Sequence, residues 1–234
     1  MGNAVTSLFE VKEQIGSGGP GTLWRVLAAT KKSSGAPCSV FVYEKNHLEV
    51  VAMAKQGPQL RRDQEKIAEV LKREATTLAR LRHPSMLEIT EALDDSRTAL
   101  AFATEPLTSV LCNVLGDFAN FRNVNKSDFR NAFDLDEIEI QKGILQLVTG
   151  LEFLHANRII HACLSPEAIY INAKGDWKIG GFAYHVSASA VAGPGGTTEV
   201  PQFLNYPPFC APNLAFLAPE IVVEGKCGFA ADGE

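Results

Sequence analysis

No CxxC pair, no apolar run near the ~20 residues needed to cross a bilayer and no excess of positive charge occur in this 234-residue sequence. Its five cysteines, Cys38, Cys112, Cys163, Cys210 and Cys227, are odd in number and scattered. That pattern argues against a zinc site and against a disulfide framework, and favours reduced thiols in a cytosolic compartment. With 22 Lys and Arg against 27 Asp and Glu, the net charge of −5 gives nucleic-acid binding no electrostatic footing. No signal-peptide h-region opens the chain either. What is present is an ordinary globular composition, 46% hydrophobic and 21% charged, long enough for one domain or two small lobes.

The start, Met1-Gly2-Asn3-Ala4-Val5-Thr6, fits the pattern in which Gly2 is myristoylated after Met removal. Only Lys12 lies nearby, and one acyl chain alone gives reversible membrane binding, so a tail with no such role is the competing reading. Phe9 to Ile15 reads as a strand, Gly16-Ser17-Gly18-Gly19-Pro20-Gly21 as a turn, and Leu23 to Leu27 as the returning strand. Such a hairpin can close over phosphates, because glycine lets backbone N–H groups approach without a Cβ. A dinucleotide fold needs a helix after the glycines, and TLWRVLAAT is a strand pattern. Pro20 removes one donor from the tip, and a plain hairpin turn stays open as an alternative.

Cys38 to Tyr43 reads as the next strand, and a polar insertion from His47 to Leu60 precedes a helix running to Leu81. Ile67, Leu71, Leu78 and Leu81 share one face of that helix, and Glu74 falls on the same face. A buried Glu74 needs a donor or holds its proton more readily; a rim carboxylate half in water is the alternative. Met86–Leu93 and Thr98–Ala103 read as strands around Asp94-Asp95-Ser96. Asn113 to Asp136 is polar and irregular, either an excursion or a partner surface, and Glu137 to His155 is a strongly periodic helix. Ile159 to Ala183 reads as loop, short strand, Gly turn and short strand. An Ala-, Gly- and Pro-rich loop to Pro212 follows, and a helix begins at Leu217-Ala218-Pro219-Glu220.

Several of these stretches resemble a protein kinase. The Ile159–Ala183 framework is similar to HRDLxxxN followed by DFG, Arg82-His83-Pro84 to the end of the kinase helix, and Ala218-Pro219-Glu220 to APE. Cys163 and Gly181 stand eighteen residues apart, the kinase distance between the two aspartates they replace. The resemblance implies a bilobal α+β fold. Residues 1–8 are then a tail, 9–105 an N-lobe of antiparallel sheet plus one long helix, and 106–234 a partial, mainly helical C-lobe. It also places Ile15, Gly16, Gly18, Gly21 and Leu23 around a nucleotide, with the Glu105 carbonyl and Leu107 N–H facing adenine beside Thr104. Leu78, His161 and Phe182 fall at positions of the apolar column joining the lobes, and Glu74 at the glutamate that pairs with the strand lysine.

The charged residues of that pattern are missing. Phe41 stands at the phosphate-holding lysine, Cys163 at the catalytic aspartate, Ser165 at the γ-phosphate lysine, Ala168 at the metal-binding asparagine and Gly181 at the metal aspartate. Lys45 lies about 13 Å further along the strand, too far to replace Phe41. Mg²⁺ takes hard oxygen ligands, and neither Ala168 nor Gly181 has a side-chain oxygen, so no metal site is expected. Phosphoryl transfer depends on positioning and charge neutralisation, both of which these losses remove. A Cys163–His161 nucleophile pair is not supported by a separation of two residues. Packing residues kept and charged residues lost is the pattern of a pseudokinase.

Across most of residues 9–220 the chain resembles the N-terminal domain of the Scyl family of pseudokinases, in its clathrin-associated branch. The carrying segments are IGSGGPG, SVFVYEK, RLRHPSML, TEPLTSVLCNVLG, IIHACLSPEAIYI and WKIGGFA. The resemblance implies a scaffold in vesicle traffic, with clathrin or adaptors as partners. It also implies a cytoplasmic location, peripheral on Golgi, endosomal or clathrin-coated membranes. No cofactor is required on this reading; the competing ones are an atypical serine/threonine kinase and a nucleotide-sensing switch that binds ATP without Mg²⁺.

Overall fold

The computed structural model describes residues 4–45, 58–188, 196–200 and 206–233. Met1 to Asn3 of the Gly2 motif, most of the His47–Leu60 insertion and parts of the Ala183–Pro212 stretch lie outside them. A short helix α1 (Ala4–Leu8) leads into β1 (Phe9–Gly18), β2 (Trp24–Lys31) and β3 (Pro37–Glu44). With β4 (Ile89–Asp95) and β5 (Ala99–Thr104) they form one antiparallel sheet in the order β1-β2-β3-β5-β4.

The long helix α2 (Pro58–Leu78) packs on one face of that sheet through Ile67, Val70, Leu71, Ala75 and Leu78, all buried. The helix ends at Leu78, three residues before the expected Leu81. There the bonds tighten to three-residue spacing, Arg80 N–H to Thr77 O (3.0 Å) and Leu81 N–H to Leu78 O (3.1 Å), and Pro84 bars continuation. The strand expected from Met86 begins only at Ile89. Ser85 to Leu87 instead reach across to the second part of the molecule, with Leu87 N–H donating to Ile179 O at 3.0 Å.

That second part opens with β6 (Leu107–Val110) and α3 (Leu111–Val114). The expected irregular insertion is ordered. It contains α4 (Lys126–Ala132), capped by Asn125 Oδ1, and Phe118, Phe121 and Phe133 all pack round Phe129 with ring centroids 4.7–5.5 Å from it. Next comes α5 (Glu137–Ala156), opened by a capping box: Glu139 N–H donates to Asp136 Oδ1 at 2.7 Å, and Asp136 N–H to Glu139 Oε2 at 3.1 Å. Short strands β7 (Ile159–Ile160), β8 (Ile169–Asn172) and β9 (Trp177–Ile179) follow, with β6-β8-β9 forming a small sheet. β10 (Val186–Ser187) pairs with β7, and α6 (Pro219–Glu224) closes the described helices. A single large apolar core runs from Trp24 and Phe41 through Leu71 and Leu78 to Tyr170, Ile179 and Phe182, so one body of side chains joins both parts.

Candidate functional site

In this architecture a cleft lies between the glycine turn above and the Cys163–Ala168 loop and β8 below. The structure closes it. Under the glycine turn, the cavity lined by Gly19, Gly21, Cys163, Ser165, Ala168 and Gly181 holds about 20 Å³. That is close to the room for one water and far below the roughly 300–1,000 Å³ of small-molecule pockets.

Four aromatic rings occupy the space. Phe41 stacks on Phe102 at 4.6 Å, Trp24 meets Phe102 edge-on at 5.0 Å, and Tyr170 meets Phe41 at 5.2 Å. All are 1% exposed or less. Phe41 therefore fills with apolar surface the place where the pattern puts a cation, and Tyr170 rises from β8 against it. At the hinge, Leu107 N–H donates to Ser39 Oγ at 2.9 Å, and the Glu105 carbonyl accepts from Thr104 Oγ1 at 2.9 Å. The two groups expected to face adenine thus have protein partners. The Glu105 side chain ties the same corner together, taking Asn172 Nδ2 (3.0 Å) and Glu88 N–H (3.2 Å).

The glycine turn is held down rather than open. Gly19 N–H donates to Glu167 O at 2.8 Å, and Ser17 N–H to Asn113 Oδ1 at 2.9 Å. A Cβ on Gly16 would stand 2.7 Å from Asn113 Oδ1, and one on Gly18 would stand 3.0 Å from Glu167 O and the Tyr170 ring. Gly21, at φ +57°, would place a Cβ 1.9 Å from Phe209 O. Glycine suits these positions because the protein's own backbone or a ring comes this close at Gly18 and Gly21, and side chains do at Gly16. Ile15 is half-buried against the core, and Leu23 is buried within it.

Below the turn, Ala168 and Gly181 face each other. Gly180 N–H donates to Ala168 O at 2.8 Å, and a Cβ on Gly181 would stand 2.4 Å from the Ala168 Cβ. No ion fits between them, and no cluster of three or more metal-ligating side chains occurs among the described residues. As folded, the residues present do not fit Mg²⁺–ATP. Cys163 and Ser165 are buried, and burial pushes the Cys163 thiol up to about 12, so no thiolate is available at neutral pH. His161 is not its base: the ring lies 4.9 Å from Phe182, and Nε2 sits 2.7 Å from Gly180 O. Nε2 therefore carries the proton, Nδ1 is bare and buried, and burial lowers the ring's affinity for a second proton. Leu78 and Phe182 belong to the same large core, and the His161 ring lies against Phe182.

Glu74 is buried at 2% exposure, so the half-wet rim reading does not hold. Its Oε2 accepts from Trp24 Nε1–H at 2.9 Å and its Oε1 from Gly181 N–H at 3.1 Å. Burial outweighs both hydrogen bonds and raises the carboxyl to about 7. Lys45 pairs instead with Asp95 (2.5 Å).

Sequence reasoning missed Asp232. Its carboxylate, with no exposed side-chain surface, accepts from His161 N–H (2.8 Å) and Ala162 N–H (2.7 Å) and meets His155 Nε2 at 2.8 Å. It thereby holds Ala162 at φ +64°, an uncommon conformation for a residue with a Cβ. In the sequence Asp232 is one acid in FAADGE, with no periodicity to mark it.

The protein kinase domain, as a family, matches residues 9–232. The chain belongs to that family. It is 36% identical over 239 aligned residues to SCY1-like protein 2 of Mus musculus and of Homo sapiens, covering 99% of this chain and 24% of each relative. A Dictyostelium discoideum relative named probable inactive serine/threonine-protein kinase scy1 is 28% identical over 70% of the chain and 16% of its own length. The Scyl resemblance and the kinase-like bilobal α+β fold both stand on these matches. The chain spans about a quarter of the length of the SCY1-like protein 2 relatives.

Proposed function

We propose that this chain is a non-catalytic binding module of kinase fold, in which protein groups take the places that active kinases give to nucleotide and metal. The observation that carries the reading is the hinge donor: Leu107 N–H is already bonded to Ser39 Oγ, and the cavity under the glycine turn holds about 20 Å³. A ligand entering there must displace that bond and move Tyr170 and Phe41 out of an aromatic cluster. Ala168 against Gly181, with no side-chain oxygen on either, supports the absence of a metal step.

Within a longer protein, the module acts as a scaffold in clathrin-linked vesicle traffic. It lies in the cytoplasm or peripherally on Golgi, endosomal or coated membranes, with clathrin or adaptors as partners. This part rests on the likeness to SCY1-like proteins. Purified clathrin and adaptor domains offered to the chain and to a full-length relative test it. Binding by both supports a role of the module itself, whereas binding by the longer protein alone moves that role to its other regions.

The competing reading is an atypical kinase. Incubation with labelled ATP and Mg²⁺ separates the two. The expected result is no incorporation and no thermal shift up to millimolar ATP, with or without Mg²⁺. Stoichiometric autophosphorylation, abolished by substituting Gly16 and Gly18 together, overturns the first reading. A thermal shift independent of Mg²⁺ points instead to a nucleotide-sensing site.

A further inference from the structure

Glu74 is a carboxyl that the binding reading leaves without a task. It sits on α2, 2% exposed, and reaches two other elements: the indole of Trp24 on β2 and the backbone of Gly181 beyond β9. Both donors are neutral. No ion pair reaches Glu74 among the described residues, and none of the influences on its charge is a cation. Arg73, its neighbour on α2, turns away to donate to His185 O at 2.6 Å. From β8 the facing titratable group is Tyr170, and from the turn after Gly181 it is Tyr184; both phenols are held protonated by burial. His161 lies against Phe182 and spends its proton on Gly180 O. Tyr170 Oη is buried with no hydrogen-bond partner.

A buried carboxylate facing only neutral donors is disfavoured, because two N–H bonds do not replace its hydration. We propose that Glu74 is a proton-gated latch of the closed cleft: as a neutral acid it joins α2 to Trp24 and to the Gly180–Phe182 turn, and on ionising it loosens that junction. Because the group holds its proton to about 7 when folded, against 4.5 ordinarily, the native state binds more protons than the unfolded chain between these values. The latch contribution is complete below about 4.5 and is lost as pH rises through about 7.

Glu74→Gln has a similar shape and cannot ionise; it keeps one carbonyl acceptor and gives up the other, a loss that does not change with pH. Melting temperatures of the native chain and Glu74→Gln are compared from pH 5 to 8.5, the difference cancelling the other titrating groups. The native chain is expected to lose about 5–10 °C relative to the variant across that range. In the native chain, the Trp24 indole N–H resonance is expected to move with a midpoint near 7, and in the variant to stay still. Carbon-detected titration of the Glu74 carboxyl in the native chain gives a second readout that does not require the variant to fold. A carboxyl midpoint near 4.5, or an indole resonance that ignores pH, overturns the proposal.

Discussion

Gly21 and Gly35 share a left-handed backbone, at φ +57° and +70°, but not a neighbourhood. A Cβ at Gly21 would lie 1.9 Å from Phe209 O, whereas nothing lies within 4 Å of one at Gly35. Alanine at Gly35 therefore pays only the backbone term, about 1–2 kcal/mol. Alanine at Gly21 adds displacement of the Phe209 backbone, and about 2–4 kcal/mol is expected in total. Urea unfolding of the two variants checks this, and equal losses would mean that the turn does not rest on Phe209 in solution. The same residues show where the sequence stops speaking. GSGGPG is legible as a turn needing glycine, but the reason is not, since Asn113, Glu167, Tyr170 and Phe209 come from distant stretches. Phe41 is legible as a missing lysine because a strand pattern fixes its register. Ser39 looks ordinary until its hydroxyl is found on the hinge amide.

At the scale of elements, α2 and α5 are the most legible because their apolar residues repeat with the helical period, and only the ends shift. The Asn113–Asp136 stretch defeats that reading. Its order comes from side-chain amides crossing to the glycine hairpin: Gln14 Nε2 to Asn120 O at 2.8 Å, and Asn113 to Ser17. Such tertiary bonds leave no period. Asp232 is the strongest case, joining the end of α5 to the residues after β7. Asp232→Ala leaves two buried backbone N–H groups without acceptors and frees His155, and about 2–5 kcal/mol of stability is expected to go. Asp136→Ala removes one exposed cap from α5 and should cost about 1 kcal/mol. Denaturant midpoints of the two variants give the comparison. A loss at Asp232 no larger than that at Asp136 would remove it as the anchor of the Cys163 loop.

For the whole molecule, the two parts share one core, and all five cysteines are buried, Cys112, Cys163 and Cys210 within it. Burial raises every one of the thiols, with Cys163 near 12 and Cys210 and Cys227 near 11. At pH 8 a thiol near 11 is thiolate in only about one molecule in a thousand, so attack on an aromatic disulfide reagent is slow even where the reagent can reach. All five are expected to react at least about 100-fold more slowly in the native protein than in guanidinium chloride. Cys112 and Cys163 also report on the cleft, because Cys112 Sγ lies 3.3 Å from Ser17 O under the glycine turn and Cys163 lines the residual cavity. Cys38 lies with the sheet core that includes Val5 and Phe9, and Cys227 with Ile221, both away from the cleft, so they serve as internal references. Labelling followed by mass spectrometry should give rates at Cys112 and Cys163 that millimolar ATP leaves unchanged, since protein groups already close the cleft. An ATP-dependent change confined to those two thiols would show that the lobes part to admit nucleotide, and the closed arrangement would then be one of two working states.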